Sequence, residues 1–155
     1  MIDGQAPVEV FDEIDSTILE ARRRAERGET SPVWLIAKRQ TAGRGRRGRA
    51  WTSHDGNLMA TLLFTSDQPP QRVALLGFAT GVAIAETIDA VIGAGAAQLK
   101  WPNDVFVSGA KVAGIMLDSG SLASGQSWVA LAFGVNLADA PENIDQKTIS
   151  LRDLL

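Results

Sequence analysis

The chain of 155 residues is one domain's worth of sequence, 45% hydrophobic and 21% charged, the balance of an ordinary globular protein. It has no cysteine and a single histidine, His54, which excludes disulfides, thiolate metal sites and a histidine cage. Net charge is −3, yet Lys38, Arg39, Arg44, Arg46, Arg47 and Arg49 fall within an acid-free stretch of twelve residues, which leaves the remainder at −9 (−3 less +6).

In chain order, Val8 to Phe11 reads as a first strand. Asp15, Ser16 and Thr17 offer capping oxygens, and Thr17 with Glu20 fits a capping box for a helix that runs to about Arg27 and stops at Gly28. Val33 to Arg39 is β-like, the glycine–arginine loop spans Gly43 to Arg49, and Leu58 to Phe64 is the next strand. From Arg72 to Ile92 apolar residues lie almost all round, which predicts a helix buried against a sheet. Gln98–Trp101 and Val105–Val107 read as strands around a Pro-Asn-Asp turn. Ser108-Gly109-Ala110 then turns the chain into Lys111–Asp118, forming a hairpin. Ser119–Gln126 reads as a loop, Trp128–Asn136 as a strand, and Ser150 onward as the start of a helix. The expected class is α+β, a single domain over 1–155 with a mixed, mainly antiparallel sheet backed by helices. No segment reads as a membrane span or a signal peptide, so a cytoplasmic location is expected.

Gly43 to Gly48 satisfies G-x-G-x-x-G, but a dinucleotide fingerprint needs a helix opening at those glycines, and here a polar loop and a strand follow. No Gly-Lys-Ser/Thr closes it as a P-loop. What remains is flexible backbone with planar, permanently charged forks suited to phosphate or carboxylate. Such a loop repels itself, and an anion would order it. A solvated or RNA-contacting basic loop is the alternative on composition alone.

Five segments together resemble the biotin–protein ligases of the biotin/lipoate ligase family. They are Asp15-Ser16-Thr17, Gln40 to Arg49 with Trp51 beyond it, Lys100-Trp101-Pro102-Asn103-Asp104, Lys111-Val112-Ala113-Gly114-Ile115 and Gly134-Val135-Asn136. The resemblance implies a class II aminoacyl-tRNA-synthetase-like fold. It also implies an activity: biotin is activated by Mg²⁺-ATP to biotinyl-5′-AMP and transferred to a lysine of a biotin carboxyl carrier protein. By the same resemblance Lys111, Arg46 and Arg44 are the catalytic cations. Ser16, Thr17, Gln40, Gly43, Arg44, Lys111 and Gly114 would hold biotin. Arg44, Gly45, Arg46, Trp51, Asn103, Asp104, Lys111 and Asn136 would hold ATP, with Asp104 also near Mg²⁺ and no resident metal. Arg47 and Arg49 are expected as steering or acceptor contacts, and His54 as a loop residue.

Ile18 stands where the family usually has Asn. Relative to the family, the chain is expected to be C-terminally shortened, without a DNA-binding domain before Val8 or a β-barrel after Leu155. The expected partners are the carrier domain and possible second copies of the chain, not DNA or a membrane. A lipoate- or octanoate-type ligase, or a non-catalytic module binding an anion or nucleic acid, is the competing reading.

Overall fold

Short apolar runs build a seven-stranded sheet in the computed structural model, which describes residues 6–142 and 146–155. The strands are β1 (Val8–Ile14), β2 (Val33–Gln40), β3 (Leu58–Ser66), β4 (Ala97–Lys100), β5 (Asp104–Val107), β6 (Ala110–Ser121) and β7 (Ser127–Val135). Their order is β1-β2-β3-β7-β6-β5-β4. Only β1 and β2 run parallel, because a helix connects them; the remaining neighbours are antiparallel. The expected class therefore holds.

Helix α1 (Thr17–Glu26) lies on one sheet face, where Ile18, Ala21 and Ala25 pack with Val33, Leu35, Leu63, Trp128 and Ala130. On the opposite face α2 (Pro70–Val73) leads into α3 (Leu75–Ile92), and Val73 and Ile88 meet Phe64, Val105, Val112, Val129 and Leu131. Ser108 and Gly109, with φ of 50° and 78°, make the tight β5–β6 turn.

Three expectations need correction. First, Ser16 and not Thr17 is the N-cap of α1, and it makes no capping hydrogen bond through its side chain. Thr17 N–H donates instead to Gln40 Oε1 at 2.8 Å, while Glu20 is taken by Arg23 and Arg24. A residue 23 positions away thus supplies the cap. Second, α3 is not enclosed: Leu75, Phe78, Val82 and Val91 are exposed, since the sheet covers one side of it only. The span Pro70–Ile92 is also long and apolar enough, by length and composition, to cross a bilayer, contrary to the sequence reading. Third, β6 extends to Ser121, so the expected loop shortens to its tip; register with β7 continues out to Ser121 opposite Ser127.

The C-terminal stretch forms a 3₁₀ turn at Arg152–Leu154, where Ser150 Oγ donates to Asp153 Oδ2 at 2.6 Å. Just before it, Thr148 pairs in parallel with Lys111: Lys111 N–H donates to Lys147 O, and Ile149 N–H donates to Lys111 O.

Candidate active site

One cavity of about 610 Å³ opens on the α1 side of the sheet, where the N-terminus of α1, the end of β2 and the starts of β3, β5 and β6 converge. Every residue predicted for the site lines it except Gly43. That glycine lies behind the cavity, where its backbone passes so close to the Trp51 carbonyl that a Cβ would collide.

The inner end is neutral. Thr61 Oγ1 donates to Thr17 Oγ1 at 2.8 Å, and Thr17 Oγ1 in turn reaches Gln40 Oε1 at 3.2 Å. Gln40 Oε1 is thereby occupied by two Thr17 donors, and its Nε2 lies beside the Gly43 backbone. Ser16 is 1% exposed and its Oγ has no partner among the described residues. A buried hydroxyl left unpaired is costly unless a ligand satisfies it. Met59, Met116, Ala132 and Ile18 complete an apolar wall around these groups. Ile18, 4% exposed, belongs to the core beneath α1 as much as to the cavity.

The mouth is cationic. Of the six clustered positive charges, Lys38 and Arg39 are paired on the sheet with Asp12 and Glu13. Arg44, Arg46, Arg47 and Arg49 line the cavity, and none of them forms a salt bridge among the described residues. Their loop is closed by backbone bonds from Gly45 N–H to Arg49 O (2.8 Å) and Trp51 N–H to Gly43 O (2.9 Å). A single 3₁₀ turn, Arg46–Gly48, stands where a dinucleotide site would open a helix, in keeping with the reading that excluded that fingerprint. Arg46 Nη1 donates to Asn103 Oδ1 at 3.1 Å, and Asn103 Nδ2 is anchored on Ile115 O.

Lys111 stands between these two ends. Its Nζ is 2.8 Å from Asp104 Oδ1 and 5.5 Å from the centre of the Trp51 ring. The Trp51 indole lies close against the backbone of β6 and β7: a Cβ on Gly114 would sit 3.1 Å from it, and one on Gly134 would collide with it. Asn136, 1% exposed, directs Nδ2 toward Lys111 O (3.5 Å) and Ile149 O (3.4 Å), and its Oδ1 has no partner among the described residues. Trp101, 79% exposed, stands at the rim outside β4, which ends at Lys100 and not at Trp101 as the sequence predicts. His54 pairs with Asp139 at 3.0 Å away from the cavity lining. No group of three or more His, Cys, Asp or Glu converges among the described residues.

The sequence reading missed Gln146 and Thr148, which close the cavity beside Lys111, and Met59, Met116 and Ala132 along its wall. The strand period carried a signal for Met116, two residues from Gly114 and so on the same face. Asn57, part of the resembling segment beyond Trp51 but given no role from the sequence, is buried at 7% exposure; its Oδ1 accepts from Leu137, Ala138 and Asp139 N–H and its Nδ2 donates to Asp139 O.

Residues 10–137 match the biotin/lipoate A/B protein ligase family. The chain is 41% identical over 129 residues to a biotin–[acetyl-CoA-carboxylase] ligase of Paracoccus denitrificans, covering 83% of this chain and 53% of that protein. It is 36% identical over 156 residues to the corresponding ligase of Mycobacterium tuberculosis, covering 97% of this chain and 57% of that protein. The biotin protein ligase of Leishmania major, solved with biotinyl-5-AMP, superposes with a TM-score of 0.81 at 25% identity over 97% of this chain and 65% of that one. The chain thus spans a little over half the length of these curated relatives.

Proposed function

We propose, on the ground that this chain belongs to the biotin/lipoate A/B protein ligase family, that it carries the biotin-activating core of a biotin–protein ligase. The observation that carries this reading is the position of Lys111, between a neutral, apolar-walled inner end and four arginines that form no ion pair among the described residues. A urea-containing ring calls for neutral hydrogen-bonding groups such as Ser16, Thr17 and Gln40, because an unpaired charge would be desolvated against it. A triphosphate calls for the arginines.

In the first step a carboxylate oxygen of biotin attacks the α-phosphorus of Mg²⁺-ATP, and the bond to the β-phosphate oxygen breaks to release pyrophosphate. Two anions must meet, so the chain's task is to hold cations where charge gathers. Lys111 takes that role, Arg44 and Arg46 hold the phosphate and carboxylate, and Trp51, Asn103, Asp104 and Asn136 line the nucleotide side. A carboxylate is already nucleophilic at neutral pH, and no base is required of the protein. In the second step a deprotonated lysine amine attacks the acyl carbon, AMP leaves with the bridging oxygen, and the amine's proton passes to solvent. The acceptor is a biotin carboxyl carrier domain, and ATP chemistry fits the cytoplasmic location read from the sequence. A lipoate- or octanoate-type ligase is the nearest rival.

ATP–pyrophosphate exchange tests the reading. Exchange that depends on biotin supports it; exchange with lipoate and not biotin replaces it with the rival; no exchange with either acid removes the activity from this chain.

A further inference from the structure

Thr61 is a polar residue in the apolar centre of β3, 0% exposed, between Met59 and Leu63 on the sheet face that carries α1. It does not line the cavity, yet its hydroxyl meets that of Thr17, which does. A valine would fill the same place with the same branched shape and suit a strand equally well. Burying a hydroxyl there is unfavourable unless its hydrogen bond serves a purpose. The fold alone therefore does not call for threonine at this position.

The direction of each hydrogen bond in the Thr61–Thr17–Gln40 chain follows from its far end. Thr17 N–H can only donate, so the atom 2.8 Å from it is the carbonyl oxygen of Gln40 and not the amide nitrogen. That oxygen can only accept, so the Thr17 hydroxyl, 3.2 Å away, places its single proton there. With no proton left, Thr17 Oγ1 accepts across the 2.8 Å contact and Thr61 donates. Thr17 thereby shows the cavity a lone pair and no proton. A helical threonine has two χ1 settings open to it, and the Thr61 donor holds the one that turns Oγ1 toward β3.

We infer that Thr61 is a positioning residue for substrate selection. Without touching the ligand, its hydroxyl holds Thr17 as an acceptor, so that the inner end of the cavity selects a head group bearing an N–H donor. This rests on the biotin reading, in which a cyclic urea supplies that donor. A dithiolane or an alkyl chain brings no proton to Thr17 and leaves its lone pair buried and unsatisfied.

Isothermal titration of the whole chain is the test, with biotin and with the two cyclic carbamates in which one ring N–H or the other is replaced by an ether oxygen. The unsubstituted chain should bind at least one carbamate about tenfold or more weakly than biotin, since a buried hydrogen bond becomes a meeting of two lone pairs. Thr61→Val should weaken biotin about tenfold and narrow that carbamate's disadvantage, because the Thr17 proton is then free to turn to the ether oxygen. Thr61→Ser should restore both the affinity and the selectivity, and circular dichroism should be the same for all three proteins. A residue that only props the fold would weaken the three ligands alike. That result, an unsubstituted chain indifferent between biotin and both carbamates, or a Thr61→Val variant with undiminished affinity for biotin overturns the inference and leaves the biotin reading in place. An unsubstituted chain that binds none of the three ligands overturns both.

Discussion

Lys111 Nζ and Asp104 Oδ1 are 2.8 Å apart, and each side chain is 17% exposed. The pair spans the turn between β5 and β6, so the hairpin that orders the strands also fixes the amine. A lysine held this way keeps a defined position before any substrate enters. Orienting a cation in advance of the charge it meets is the larger part of electrostatic catalysis.

Replacing Lys111 by Ala should lower biotin-dependent pyrophosphate exchange by two or more orders of magnitude, roughly 3 kcal/mol of transition-state stabilisation. Thermal unfolding should move little, because the pair retains contact with solvent. An exchange rate equal to that of the unsubstituted chain would end the role given to Lys111.

Arg46 contributes one planar fork, steadied by Asn103. Arg46→Gly should speed release of biotinyl-5′-AMP about tenfold or more, the worth of one charged hydrogen bond. Stopped-flow displacement measures the off-rate directly, and an unaltered rate would count against this assignment.

Gly134 has no room for a methyl group beneath the Trp51 indole. Gly134→Ala should push the indole off β7 and weaken adenylate binding by more than tenfold, with Trp51 fluorescence moving toward that of a solvated indole. The protein should still fold, since the obstructing atoms belong to a side chain that can swing away. Normal affinity in this variant would show that the indole's seat on the sheet is dispensable.

Asn57 holds the segment after β7 by four hydrogen bonds to Leu137, Ala138 and Asp139. Asn57→Ala should cost about 2–3 kcal/mol, several net hydrogen bonds reduced by water reaching the exposed amides. Urea denaturation reads this as a lower midpoint at constant slope.

Acid stability should rest on α1. The Arg23 guanidinium holds Asp15 below the usual carboxylate range, and the Arg24 guanidinium does the same for Glu9. At Glu20 burial pushes upward, but hydrogen bonds from Arg24 and Arg23 outweigh it and the net direction is down. Groups depressed in the folded state stabilise it above their unfolded pKa and lose that contribution as pH falls through the folded value. Stability should therefore decline below the ordinary carboxylate range, near pH 4, and Arg24→Gln should flatten that decline. An identical pH profile in the variant would remove the network from acid unfolding.

The sheet was legible because its central strands are short continuous apolar runs and its turns carry their own chemistry, as at Ser108-Gly109. Local signals failed wherever a distant residue intervened. Nothing near Thr17 announces that Gln40 will receive its amide, and nothing near Trp51 announces that Gly114 and Gly134 will lie beneath it. Helix α3 was misread for a different reason: an all-round apolar helix implies two packing layers, and composition cannot say whether the second belongs to the same chain. The arginine loop was found from its residues, but the neutralisation of Lys38 and Arg39, unlike the four loop arginines that pair with no acid among the described residues, needed the pairing of β1 with β2.

The parallel bridge between Thr148 and Lys111 ties the final ten residues to the strand that carries the amine. The amides of Lys111 and Ile149 are locked into the same pair of segments, and Asn136 reaches across both. Fraying of the C-terminus and loosening of the amine's strand are then a single opening event, in which both protons exchange with solvent at one common rate.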